Sequence, residues 1–323
     1  MNWRFLTAVI AMGLMITGLY HNALAKTPSS SRKQETGIED FYLPIRQESR
    51  HFSVYTPSRS QQIQKPMPAV FIFHGYGMDD RDMMQMTRFN ALAEKEGFLA
   101  VYPQGRDKMW NSKGVPNNLT EDVDFVEAIL VQLAQSRNVD PQRLYATGLS
   151  NGGLFVQRLA CEMPGRFAAF ATVAATIGKP QSEHCSQAVA APMLMIHGTK
   201  DPIITWNGKI HRLFFKFRTS RLLSVQETLN LWLERNGCDS SPSRIFQAGI
   251  SRQALSAEER EFRSCKNNMP VTQLIIHGGG HTWPGNEPGN WLTEWYMGKT
   301  YRSLDASAFI WNFFQPLSSL VSL

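Results

Sequence analysis

The chain has 323 residues, 43% of them hydrophobic and 11% aromatic, which is the apolar content of one large α/β domain. Lys and Arg outnumber Asp and Glu by 33 to 27, a formal charge of +6 that reads as ordinary solubility charge; no nucleic-acid motif accompanies it, and a nucleic-acid partner is excluded. Beyond the first 25 residues no stretch is apolar for long enough to cross a bilayer.

Residues 1–25 combine a basic start at Arg4, an apolar run over 5–20 and the small-residue pattern Ala23-Leu24-Ala25. That is the form of a signal peptide, so the mature chain is expected to begin at Lys26 and to be exported, to the periplasm or the medium. The run is short for a span and no cysteine follows it, so neither stable membrane insertion nor a lipid anchor is expected. A flexible leader is expected over 26–48, polar and without periodicity through 38, followed by a single catalytic domain over 49–323.

Residues 51–55 alternate as a strand near a sheet edge. After the Pro66-Met67-Pro68 turn, residues 69–73 are a solid apolar run ending in His74-Gly75-Tyr76-Gly77, the pattern of a central strand buried on both faces. A helix is expected over 86–97, a strand over 98–102, a loop over 110–120 and a helix over 122–135 with Val126, Ile129, Leu130 and Leu133 on one stripe. A strand over 143–147 runs into a helix over 151–163. Strands follow at 170–175 and 193–197, then a helix opened by the capping box Ser224-Val225-Gln226-Glu227 and closed by Gly237. A last strand over 271–277 and a docking helix over 304–314 complete the series. Strands alternating with helices predict a doubly wound, mostly parallel sheet with helices on both faces.

Between the strand at 143–147 and its helix lies Gly148-Leu149-Ser150-Asn151-Gly152, a G-x-S-x-G turn that lifts a serine above the sheet. In such sheets functional groups collect at the carboxyl ends of the strands. Those ends carry His74-Gly75-Tyr76, Ser150, Asp201 within His197-Gly198-Thr199-Lys200-Asp201, and His281 within His277-Gly278-Gly279-Gly280-His281. The chain order Ser, Asp, His is the order of a hydrolase triad on this architecture. Ser150 is the candidate nucleophile, His281 its base and Asp201 the group that orients the base, with the backbone N–H groups of Tyr76 and Asn151 as oxyanion donors. His277 is the competitor for His281. His74 and His197 read as strand-end residues bonded to backbone, and Asp122 and Asp124 as carboxylates at a helix start. Trp110, Trp206, Trp283 and Trp291 are candidates for an apolar pocket wall or for core packing.

Four cysteines in an exported protein suggest two disulfides with three possible connectivities. The local pairing Cys161–Cys185 with Cys238–Cys265 is favoured, each bond closing a loop of about 25 residues and contributing roughly 3 kcal/mol. There is no C-x-x-C, so no zinc site or other metal is expected.

These stretches, together with Tyr102-Pro103-Gln104-Gly105, 232–238 and Gly279-Gly280-His281-Thr282-Trp283-Pro284-Gly285, resemble the exported esterase family that includes polyhydroxybutyrate depolymerases and feruloyl esterases. The resemblance covers roughly 50–315. It implies an α/β-hydrolase fold and hydrolysis of carboxylic esters without metal or cofactor, and it agrees with Ser150, Asp201, His281 and the two local disulfides. The partner it implies is a small or oligomeric ester. Tyr76 stands where depolymerases of this group tend to have a smaller residue or a cysteine, and 207–218 is long and basic for the family. No Thr/Ser-rich linker or separate polymer-binding domain is expected after the catalytic unit, an expectation that favours short oligomers or soluble esters. Asn118-Leu119-Thr120 has the form of a glycosylation sequon, discounted because the leader is bacterial in style. Acyl transfer to another alcohol, or a binding role on a hydrolase scaffold, are the alternatives.

Overall fold

The computed structural model describes residues 37–62, 65–113, 122–185, 189–210, 222–248, 255–286 and 291–317. The expected signal peptide, the sequon and most of the basic stretch lie outside the described residues.

The ten strands of one sheet are β1 (Ile38–Ile45), β2 (Glu48–Tyr55), β3 (Met67–Phe73), β4 (Leu99–Pro103), β5 (Val139–Leu149), β6 (Ala169–Val173), β7 (Met193–Gly198), β8 (Arg244–Ala248), β9 (Ser256–Phe262) and β10 (Val271–His277), in the order β1-β2-β4-β3-β5-β6-β7-β10-β9-β8. The central block from β4 to β10 is parallel, and two antiparallel strands close each edge. Every residue of β3, β4 and β6 is buried. This is why these strands read as near-continuous apolar runs, with Thr172 of β6 the buried polar exception: each face is covered by helices.

Among the described residues the α-helices are α1 (Asp80–Thr87), α2 (Phe89–Glu96), α3 (Asp122–Ser136), α4 (Asn151–Glu162), α5 (Lys179–Cys185), α6 (Val225–Asn236), α7 (Trp291–Met297) and α8 (Ala306–Phe314). One apolar cluster joins α3, α4 and α6 to one face of the sheet, through Phe125, Ile129, Phe155, Leu159 and Trp232. The other joins α1, α2 and α8 to the opposite face, through Met83, Phe89, Ile310, Trp311 and Phe314.

Three elements depart from the sequence expectation. Residues 38–45, assigned to a flexible leader, form edge strand β1; Phe41 stacks on Phe52 of β2 at 4.8 Å, and the alternation of the segment matches one face turned inward. The helix expected over 86–97 is two helices. Arg88, at φ 54°, closes α1 and opens α2, and the capping box of Asp79 and Asp82 starts α1 well upstream. Finally, β8 and β9 are strands that no sequence pattern predicts. β9 is charged, β8 is only five residues long, and their pairing sets Arg244 opposite Glu261. Edge strands are held by the ladder and by such cross-strand charge pairs, so they need no apolar run.

Candidate active site

The chain runs from β3 outward to β4 and then returns to place β5 on the other side of β3, so the strand order reverses between β3 and β5. That reversal opens a crevice at the carboxyl ends of the two strands. The loop with Tyr76 leaves β3 on one side of it, and Ser150 leaves β5 on the other.

Ser150 holds φ 54° and ψ −118°, outside the regions a residue with a Cβ normally adopts. Its N–H donates to Val173 O at 2.9 Å, and its carbonyl accepts from Leu154 N as α4 begins. Its hydroxyl makes no capping hydrogen bond to the helix. The turn is as tight as its glycines require. A Cβ on Gly148 would lie 2.6 Å from the carbonyl carbon of Gly152, and one on Gly152 would lie 2.3 Å from Phe73 O.

Asp201 and His281 meet, both buried, with His281 Nδ1 2.7 Å from Asp201 Oδ2. The other carboxylate oxygen accepts the N–H groups of Ile203 at 2.8 Å and Ile204 at 2.9 Å. A carboxylate held on three sides fixes the ring, puts the hydrogen on Nδ1 and leaves Nε2 as the basic nitrogen. The two loops touch backbone to backbone: a Cβ on Gly198 would come 2.3 Å from Gly279 O. The His281 N–H also donates to Met297 O at 2.6 Å, which ties this loop to the end of α7.

The rival residues lie elsewhere. His277 bonds Glu258 at 3.0 Å across to β9, with its side chain 44% exposed. His197 is buried and donates Nε2–H to Ile204 O at 2.8 Å; burial holds its pKa below the usual histidine value and keeps it neutral. Asp122 is buried in an ion pair with Arg50 at 2.8 Å and accepts the Asn111 N–H at 2.7 Å, while Asp124 pairs with Arg46 at the surface. Trp110 and Trp283 are core residues rather than pocket walls, Trp110 stacked on Phe155 at 5.0 Å and Trp283 bonded through Nε1 to Ser307. Trp206 lies edge-on to His197 at 6.0 Å, and the Trp291 side chain is outside the described residues.

The Tyr76 side chain is exposed. The Asn151 side chain grips Trp110 instead: Oδ1 accepts Trp110 N–H at 2.7 Å and Nδ2 donates to Trp110 O at 3.1 Å. No sequence pattern pointed to Arg50 or Arg158, and none marked Trp110, a candidate for packing or a pocket wall, as a tie to Asn151; distant segments bring these contacts together. Among the described residues, one group has metal-ligand atoms within 4.8 Å of each other: Asp40, His51 and Asp80. Arg81 already spans both oxygens of Asp40 at 3.0 Å, and Ser53 lies 2.6 Å from each carboxylate, so the cluster is an ion-pair network. Two disulfides, Cys161–Cys185 and Cys238–Cys265, join the four cysteines.

Residues 51–210 match the family model described as esterase PHB depolymerase. A putative esterase, NocK, from Nocardia uniformis subsp. tsuyamanensis is 27% identical over 246 residues, covering 73% of this chain and 71% of that protein. A bifunctional acetylxylan esterase/xylanase, XynS20E, from Neocallimastix patriciarum is 30% identical over 236 residues, covering 72% of this chain; the chain spans 31% of that protein's length. Among solved structures, the acetyl xylan esterase from Aspergillus awamori superposes with a TM-score of 0.55 at 14% identity, covering 80% of this chain and 98% of that one.

Proposed function

We infer how this chain, a carboxylic-ester hydrolase of the serine type with the α/β-hydrolase fold, similar to polyhydroxybutyrate depolymerases and feruloyl esterases, carries out its reaction. Ser150 Oγ attacks the ester carbonyl carbon while His281 Nε2 takes the hydroxyl proton. The tetrahedral oxyanion is bound by the N–H groups of Asn151 and Tyr76. His281 then gives the proton to the departing alcohol, leaving an acyl group on Ser150. Water, deprotonated by the same nitrogen, releases the acid. Asp201 holds the imidazole tautomer throughout and stabilises the imidazolium.

The observation that carries this reading is the buried 2.7 Å contact between His281 Nδ1 and Asp201 Oδ2, in loops that leave adjacent strands β10 and β7. It leaves one basic nitrogen at the crevice end of the sheet, where Ser150 stands on its strained turn. The start of α4 adds N–H groups and the positive end of a helix dipole next to that serine, which favours an oxyanion. The substrate class we propose is the short hydroxybutyrate oligomer or feruloyl-type ester, in keeping with the family model and with feruloyl esterase B of Piromyces equi, 26% identical over 163 residues, covering 50% of this chain and 29% of that protein. Two disulfides support export.

Hydrolysis of p-nitrophenyl acetate and butyrate tests the assignment. Ser150→Ala is expected to lower kcat by at least ~10³-fold and to abolish labelling by a fluorophosphonate. Undiminished turnover in that variant would remove the nucleophile from the scheme. Methyl ferulate, hydroxybutyrate oligomers and a peptide amide, compared on the wild type, then place the acyl group.

A further inference from the structure

The two backbone donors assigned to the oxyanion sit on separate elements, one after β3 and one at the start of α4. Covalent structure leaves their relative orientation open. The segment from Gly105 to Trp110, after β4, bridges them. Trp110 is fixed to Asn151 by two reciprocal bonds, N–H to Oδ1 at 2.7 Å and Nδ2–H to O at 3.1 Å. Its indole Nε1–H donates to His74 O at 3.1 Å, and the ring is packed against Phe155 and Phe73. Further back, the Gly105 N–H donates to His74 Nε2 at 2.8 Å.

That last bond decides the state of His74. A backbone N–H is only a donor, so Nε2 must be the bare nitrogen and Nδ1 must carry the hydrogen. Burial, which pushes the His74 pKa down, keeps the ring in this neutral form. Nδ1–H therefore donates to Gly75 O, at 2.8 Å, and the Met78 N–H reaches the same carbonyl at 3.2 Å. No peptide bond among the described residues is cis. In a trans peptide the C=O and N–H point in opposite directions. Holding Gly75 C=O toward the His74 ring turns the Tyr76 N–H away from it. The same backbone passes beside the nucleophile, since a Cβ on Gly75 would lie 3.7 Å from Ser150 Cβ.

We propose that His74 and Trp110 are positioning residues for the oxyanion donors: His74 sets the rotation of the Gly75–Tyr76 peptide, and Trp110 locks that loop to Asn151. Neither touches substrate. Both act through backbone N–H groups whose placement matters only when the carbonyl oxygen becomes an oxyanion. The inference rests on the assignment of Tyr76 and Asn151 given above.

The readout is a comparison of an aryl ester with its thionoester, in which the carbonyl oxygen is replaced by sulfur, a poor hydrogen-bond acceptor that draws little from such donors. His74→Gln places an amide near the Nε2 position and removes the donor to Gly75 O. It is expected to lower kcat on the oxoester by about 10- to 100-fold, short of or equal to the loss of one donor. KM and the thionoester rate should stay within about threefold, because their hydrogen-bond demand on these donors is small. His74→Asn, whose Nδ2 lies near the Nδ1 position, should restore much of the oxoester rate. Trp110→Phe keeps the ring packing, deletes only the bond to His74 O, and should show the same selectivity at smaller size. It serves if the His74 variants do not fold. Equal losses on both esters, or equal rates for His74→Gln and His74→Asn, would show that these residues merely hold the fold and would overturn the proposal. If Ser150→Ala retains turnover, the site assignment fails and this inference with it; if Ser150→Ala is dead while the ester comparison is flat, only this inference fails.

Discussion

At the scale of single residues, the site is made by a few groups held in positions they would not choose alone. Ser150 sits at φ 54° because Gly148 and Gly152 let the chain turn back on itself, and the ladder from Val173 O to its N–H holds it there. His74 and His197 are held neutral by burial, and both have pKa values lowered from the ordinary 6.5. This sets a pH dependence of stability. In the unfolded chain these rings take up protons near pH 6.5, whereas in the folded chain they resist until lower pH. Between those values the unfolded state binds more protons, so the stability they contribute is complete above about 6.5 and falls on acidification, by up to about 1.4 kcal/mol per pH unit for each ring. Urea unfolding at pH 7.5, 6.5 and 5.5 should show a falling midpoint; a midpoint that is flat or rises toward acid would contradict it. The sequence named the serine, the acid and two histidines four residues apart. It did not reveal Trp110, because nothing local marks a loop tryptophan as a strut between two other segments.

At the scale of elements, covalent ties reinforce the helix that follows the serine. Cys161 lies in the last turn of α4 and joins Cys185 at the end of α5, with Arg235 of α6 donating from Nη1 toward Cys185 Sγ at 2.8 Å. The second bond joins the end of α6 to the turn before β10. The linked residues are 24 and 27 positions apart, so each bond is expected to contribute about 3 kcal/mol by restricting the unfolded chain. Thermal unfolding with and without a thiol reductant should differ accordingly, and Cys238→Ser with Cys265→Ser should reproduce about half of the difference. Identical melting points in the two conditions would contradict it. A separate test concerns helix α8, which Asp305 caps by accepting the N–H groups of Ser307 and Ala308. Asp305→Ala should cost about 1 kcal/mol, read as a lower denaturation midpoint. The capping box at Ser224 and the glycine stop at Gly237 were legible in sequence because both are local. The break at Arg88 was not, since a left-handed arginine between two helices has no sequence signature.

At the scale of the whole molecule, a parallel block is shielded at both edges by antiparallel strands. On one side the outermost strand is β1, whose eight residues pair with β2 along their full length. Removing residues up to 46 would strip that pairing, expose the edge of β2 and uncover Phe52. A chain beginning at Gln47 is therefore expected to melt several degrees lower and to aggregate on refolding, measured by calorimetry and light scattering. Unchanged melting and full solubility would mean that β1 behaves as the leader its composition suggested.

The sequence by itself determined the central strands, the elbow and the capped helices. In each, the cause is local: a strand buried on both faces is predominantly apolar, and a turn with backbone against backbone must be glycine. Only the tertiary structure decided which histidine meets the acid. His277 and His281 lie four residues apart, but the register of β10 turns the first toward Glu258 on β9, and the backbone contacts of Gly198 with Gly279 and of His281 with Met297 fold the second onto Asp201. Tertiary structure also decided the edge strands β1, β8 and β9, which owe their form to partners rather than to composition. Pairings between segments distant in sequence fix both outcomes, and no window of residues contains them.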